Sequence, residues 1–185
     1  MTTTAGPAFS VLADVPTAGQ MTELGGRLAR LLAAGDLVVL SGPLGAGKTT
    51  LTQGIGAGLH VRGPVTSPTF VIARVHPSLA GGPDLVHADA YRLGSRAEVD
   101  DLDLDADLAT SVTVVEWGEG LVEALAGSYL TIGIEPGPAA SPGPGADEQD
   151  GTGEADQPRT VRIDGWGERW QQAATQARQE LADGQ

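Results

Sequence analysis

Cysteine and asparagine are both missing from this chain of 185 residues, and lysine occurs once, as Lys48. Without cysteine there is no disulfide framework and no thiolate metal site, which fits a reducing compartment. Without asparagine there is no Asn-Lys-x-Asp element of the kind that reads guanine in GTP-binding proteins. No apolar run approaches the ~20 residues that a membrane-crossing helix needs, so no membrane association is expected. Met1 to Pro7 lacks the basic start and apolar stretch of a secretory signal, and the expected location is the cytoplasm.

Basic residues are scarce as well: 11 Lys and Arg stand against 24 Asp and Glu, a formal net charge of −13. Such a surface repels phosphate backbones, so direct binding of nucleic acid is not expected. What is present suits one domain over residues 1–185, since hydrophobic residues make up 41% and the length allows one core rather than two ordinary ones. Ten of the 11 basic residues are arginine. The chain therefore keeps lysine for a single place.

Phe9 to Val15 alternates weakly, as an edge strand would, and Thr17 is a plausible N-cap for a helix with Leu24, Leu28, Leu31 and Leu32 at helical spacing. Gly35 stands where a helix-ending glycine would. Leu37-Val38-Val39-Leu40 is short, apolar throughout and rich in β-formers, so it reads as a central strand buried on both faces. A helix is expected over Thr49 to Leu59, strands over Phe70 to Val75, Leu85 to Ala90 and Val112 to Val115, and helical pieces over the acidic Arg96 to Leu108. Leu130 to Ile134 and Thr160 to Ile163 alternate like a late strand pair, and a polar helix over Glu168 to Leu181 closes the chain. Pro136 to Pro158 is rich in Pro, Gly and acids with little to bury, so a disordered or mobile loop is expected there.

Gly42-Pro43-Leu44-Gly45-Ala46-Gly47-Lys48-Thr49 fits the phosphate-loop pattern G-x-x-x-x-G-K-[ST] at every fixed position, between a β-rich run and a helix. The glycines let successive N–H groups turn inward toward phosphate oxygens, and the helix from Lys48 adds its positive end. Lys48 is placed to reach the β- and γ-phosphates and the Thr49 hydroxyl to take one place on Mg²⁺. Asp89, in His87-Ala88-Asp89-Ala90-Tyr91-Arg92, ends an apolar strand and can hold Mg²⁺ directly or through water. A turn aspartate at a strand end is the plainer alternative. Glu116-Trp117 ends another strand; the carboxylate can meet the metal or orient water while the indole shields the site, or the Trp simply caps the core. His87 fits either a ligand or a hydrogen-bonded core histidine.

Taken in order, Gly42-x-Leu44-Gly45-Ala46-Gly47-Lys48-Thr49-Thr50, Val65-Thr66-Ser67-Pro68-Thr69-Phe70, His87-x-Asp89-x-Tyr91-Arg92-Leu93 and Glu116-Trp117 resemble the TsaE family over Gly42 to Trp117. The resemblance implies a P-loop ATPase, using ATP and Mg²⁺, that acts with the TsaB and TsaD proteins when threonylcarbamoyl is added to a tRNA adenosine. It also implies that tRNA is met only through that complex. Carried over by motif, Leu44 to Thr50 bind nucleotide, and Lys48, Asp89 and Glu116 are catalytic. Thr49, Glu116 and Asp89 lie at the metal, while Ser67 and Thr69 belong to a switch-like segment. His87, Tyr91, Arg92 and Trp117 complete the motifs. The sequence departs from the family pattern at Pro43, Asp103 and Gly118.

A small-molecule P-loop kinase has the same phosphate cradle but needs a lid bearing arginines, and the segment after Trp117 has no arginine before Arg159. The expected fold is α/β: one three-layer P-loop NTPase-like domain with a mostly parallel central sheet and antiparallel late strands. Because its composition offers no core contacts, deletion of Ala139 to Gln157 is expected to leave folding intact. Thermal melting checks this. A fall of more than about 4 °C, the scale of roughly 1 kcal/mol in a chain of this size, would show that the segment packs.

Overall fold

The computed structural model describes residues 6–68, 73–93, 95–100, 104–137 and 157–182. Its elements in chain order are β1 (Phe9–Val15), α1 (Ala18–Leu31), β2 (Leu37–Ser41), α2 (Lys48–Gly58), β3 (Ala73–His76), β4 (Asp84–Asp89), α3 (Arg96–Asp100), α4 (Leu104–Leu108) and β5 (Ser111–Glu116). A short 3₁₀ turn (Glu123–Leu125), β6 (Tyr129–Pro136), β7 (Arg159–Trp166) and α5 (Glu168–Ala182) follow. The strands form one sheet in the order β1-β7-β6-β2-β5-β4-β3. At its centre β6, β2, β5 and β4 run parallel. Strand β7 is antiparallel to both β6 and β1, and β3 is antiparallel to β4. Only β3 and β7 therefore run against the rest, which is the mostly parallel sheet with late antiparallel pairing that the sequence predicts.

The apolar run in β2 is explained by cover on both faces. Val38 and Leu40 join a core with Leu24 and Leu28 of α1, Leu51 and Ile55 of α2, and Trp170 and Leu181 of α5. Leu37 and Val39 join the opposite core with Val86, Val115, Val99 of α3 and Leu104 of α4. Alternate residues of a strand face opposite ways, so a four-residue apolar run serves two layers at once. Helices α1, α2 and α5 make one outer layer and the short α3 and α4 the other, giving three layers.

Helix α1 starts as its sequence predicts, with Thr17 at the N-cap accepting a hydrogen bond from Gln20 N at 3.2 Å. It ends earlier than Gly35 suggests. Leu32 is the C-cap, in extended conformation, and Gly35 (φ +95) turns the chain afterwards toward β2. That turn is held by Asp36, whose carboxylate accepts from Ala33 N at 2.8 Å and from Arg169 Nη2 at 2.9 Å. Strand β3 is described over Ala73–His76, within and just past the strand expected over Phe70 to Val75; residues 69–72 and 138–156, with Thr69, the start of that expected strand and most of the predicted loop, lie outside the described residues.

What positions the phosphate loop is the packing of α2 on α1. Gly25 and Gly54 face each other so closely that a Cβ on Gly54 would overlap the carbonyl oxygen of Thr22 and lie 3.0 Å from Gly25 Cα. Glycine is needed here for close backbone approach rather than for an unusual φ. Gly54→Ala is therefore expected to destabilise by about 1–3 kcal/mol, the usual cost of overpacking, read as a lowered melting temperature. Gly26→Ala, where a Cβ would meet nothing within 4 Å, is the control and should melt at or above the parent. An unchanged Gly54→Ala would contradict this helix contact.

Candidate functional site

The loop between β2 and α2 turns sharply at two glycines. Gly42 has φ +142, and a side chain there would come within 2.5 Å of Ile134 O on the neighbouring β6. Gly47 has φ +106 and is the N-cap of α2, so the loop enters the helix through a left-handed residue that favours glycine. Lys48 is 5% exposed. Its Nζ donates to Gly42 O at 2.7 Å and Pro43 O at 2.9 Å, and lies 4.0 Å from the centre of the Trp117 ring. Burial lowers the pKa of this ammonium, and the nearby Glu116 and Asp89 carboxylates oppose that shift.

The sheet brings the acids to the same end. Asp89 and Glu116 are the last residues of β4 and β5 and face each other in register. Glu116 Oε1 accepts from Thr49 Oγ1 at 3.1 Å and is 2.8 Å from His87 Nε2. With Glu116 ionised, that imidazole nitrogen is the donor. His87 is fully buried, and its Nδ1 has no hydrogen-bond partner among the described residues. Asp89 Oδ1 accepts from Tyr91 N at 2.9 Å, so the turn role and the place beside Glu116 coexist. A hydroxyl and two carboxylates are hard oxygen donors suited to Mg²⁺, which takes one or two protein ligands and fills its shell with water and phosphate. A cleft of about 550 Å³ opens over this cluster, lined by Gly45 to Thr50, Asp89, Glu116 and Trp117 among others. That volume is in the range of small-ligand sites.

Over residues 15–140, which include every one of these groups, the chain matches the family model described as threonylcarbamoyl adenosine biosynthesis protein TsaE. The chain belongs to the TsaE family. It is 59% identical over 151 residues to the tRNA threonylcarbamoyladenosine biosynthesis protein TsaE of Streptomyces coelicolor, covering 81% of this chain and 93% of that protein. The protein of the same name from Mycobacterium bovis is 52% identical over 130 residues, 66% of this chain and 77% of that one. The crystal structure of Bacillus subtilis YdiB superposes with a TM-score of 0.64 over 91% of this chain and 93% of that one, at 24% identity. That likeness supports the α/β fold.

In this TsaE-family chain the structure gathers most of the predicted site residues. Leu44, at the loop tip, is 95% exposed, while Thr49 and Thr50 on the first turn of α2 are half-buried. Ser67 lines the cleft from the segment after α2, which Gln53 Nε2 and buried Val65 pin to that helix, the amide donating to Val65 O at 3.0 Å. Trp117 (φ +61) is half-buried over the cleft with Tyr91 against its ring at 5.2 Å, so it lines the cleft and does not cap the core. Arg92 is exposed on the turn after β4 and does not line the cleft. The sequence reading missed Ala18, Met21 and Arg159, which also line it. Ala18 and Met21 look like ordinary helix residues in the sequence, and Arg159 lies 111 positions after Lys48; strand order alone brings it back.

Proposed function

We propose that this chain is an ATP-binding and ATP-hydrolysing protein of tRNA threonylcarbamoyladenosine biosynthesis, acting in the cytoplasm with TsaB and TsaD and meeting tRNA through them. Family membership supports the pathway. The observation that supports the chemistry is the single hydrogen-bonded line from Thr49 through Glu116 to His87, set beside Lys48 and Asp89 at the mouth of the phosphate loop.

In this reading the loop N–H groups and the positive end of α2 bind phosphate oxygens. Lys48 leaves the carbonyls of Gly42 and Pro43, which it now satisfies, for the β- and γ-phosphates. Thr49 and Glu116 would hold Mg²⁺, with Asp89 in support, and the ion would supply neutralising charge to the phosphate oxygens. Glu116 also orients the water that attacks the γ-phosphorus as the bond to the leaving ADP breaks. Trp117 excludes bulk water from Lys48, which strengthens its charge contacts. The acidic surface, with its net charge of −13, favours protein partners over direct tRNA contact.

Glu116→Ala removes one carboxylate and leaves the loop amides and Lys48 in place. It is expected to bind ATP within about tenfold of the parent, while partner-stimulated hydrolysis falls by ~10²-fold or more, the usual loss for a positioned transition-state group. Trp117 fluorescence reports binding and phosphate release reports hydrolysis. Hydrolysis at the parent rate would leave Glu116 with a structural role only.

A further inference from the structure

The cleft holds a second cation that neither the phosphate-loop motif nor the metal cluster uses. Arg159 is the first residue of β7, and its backbone is held from both sides, in register with Pro136 of β6 and Val15 of β1. Its side chain lies along the phosphate loop: a Cβ on Gly47 would sit 3.6 Å from Arg159 Nε and 3.7 Å from its Cδ. Gly47 thus provides the turn into α2, and the Arg159 side chain passes it at ordinary contact distance.

Arg30, Arg162 and Arg169 each have a carboxylate oxygen within 3.0 Å. Arg159 has no such partner among the described residues. Its one hydrogen bond there is from Nη1 to Gln157 O at 3.0 Å. A guanidinium carries five N–H donors, so this one hydrogen bond leaves most of its capacity unused among the described residues. No carboxylate among those residues pairs with Arg159, and it lines the cleft beside the phosphate loop, where a bound anion would meet it.

Sheet order says which end of that anion it meets. The phosphate loop leaves β2; Glu116 and Asp89 lie one and two strands away in one direction, and Arg159 lies two strands away in the other, beyond β6. The metal-side carboxylates and the guanidinium therefore straddle the loop. Resting on the nucleotide reading given above, we propose that Arg159 is a phosphate-binding residue of this site. It grips the phosphates remote from the metal-bound, hydrolysed end, those that ADP and ATP share. Arginine suits the task because its planar fork pairs with two phosphate oxygens at once, which the ammonium of a lysine cannot do. The same placement distinguishes it from a lid arginine. It is anchored in the sheet, does not close over the γ-phosphate, and belongs to binding rather than to the chemical step.

The test is calorimetric titration of the full chain with ADP and with ATP, each with Mg²⁺, alongside partner-stimulated turnover. Relative to the parent, Arg159→Gln is expected to weaken ADP and ATP alike by about tenfold, the scale of one lost charged hydrogen-bond pair, with kcat within about threefold at saturating ATP. Arg159→Lys, which keeps the charge and loses the fork, should fall between the two and guards against a folding defect in the glutamine variant. Affinities for both nucleotides within twofold of the parent would overturn the proposal. So would a selective loss of kcat with unchanged ADP affinity, the behaviour of an arginine acting on the transferred phosphate. If the parent itself bound neither nucleotide, the nucleotide reading would fail first and this inference with it.

Discussion

One carboxylate oxygen ties the site together. Glu116 Oε1 takes the Thr49 hydroxyl at 3.1 Å and the His87 ring nitrogen at 2.8 Å, and so joins the first turn of α2 to two central strands, β5 and β4. Glu116 is 4% exposed. A buried carboxylate is costly unless its oxygens are paired, and here the Thr49 hydroxyl and the His87 ring pair one of them. In the proposed function the same pairing holds Glu116 where metal and water would be met.

That oxygen meets Thr49 only because α2 is held at a fixed height over the sheet. The Gly25–Gly54 contact brings the backbones of α1 and α2 together, Thr17 caps the start of α1, and Asp36 with Arg169 closes the turn that leads into β2. The phosphate loop spans the gap between β2 and α2, with Gly42 packed against Ile134 O of β6. Moving either helix would lift Lys48 from the carbonyls that hold it and Thr49 from Glu116. The loop's shape thus depends on contacts far from any phosphate. A short loop can be rigid in this way although three of its residues from Gly42 to Gly47 are glycine.

Much of this was legible from residue order, for identifiable reasons. The double-sided apolar run Leu37 to Leu40, the cap at Thr17 and the glycine-lysine-threonine pattern are local, and local patterns survive in a sequence read alone. Asp89 and Glu116 could be named as strand-end acids, but only the register of β4 with β5 makes them neighbours. The helix end was misplaced because Gly35 looks like a helix stop, whereas it serves the turn organised by Asp36 and Arg169, a contact made across 133 positions. Arg159 was read as too late in the chain to matter to a lid. Its arrival at the phosphate loop depends on β7 inserting between β1 and β6, which no spacing within the motifs reveals. Trp117 could have capped a core or lined a cleft, and its φ of +61 is a feature that residue type does not announce.

The central claim is that Lys48 and its neighbours form a working ATPase site. It is tested most directly by ATP hydrolysis with TsaB and TsaD present, comparing the parent with Lys48→Arg. The guanidinium is planar and larger than the ammonium it replaces, and it would have to fit between Gly42 O, Pro43 O and the Trp117 ring. The account predicts Mg²⁺-dependent hydrolysis by the parent and its near-complete loss in the variant. Hydrolysis by Lys48→Arg at the parent rate would contradict it.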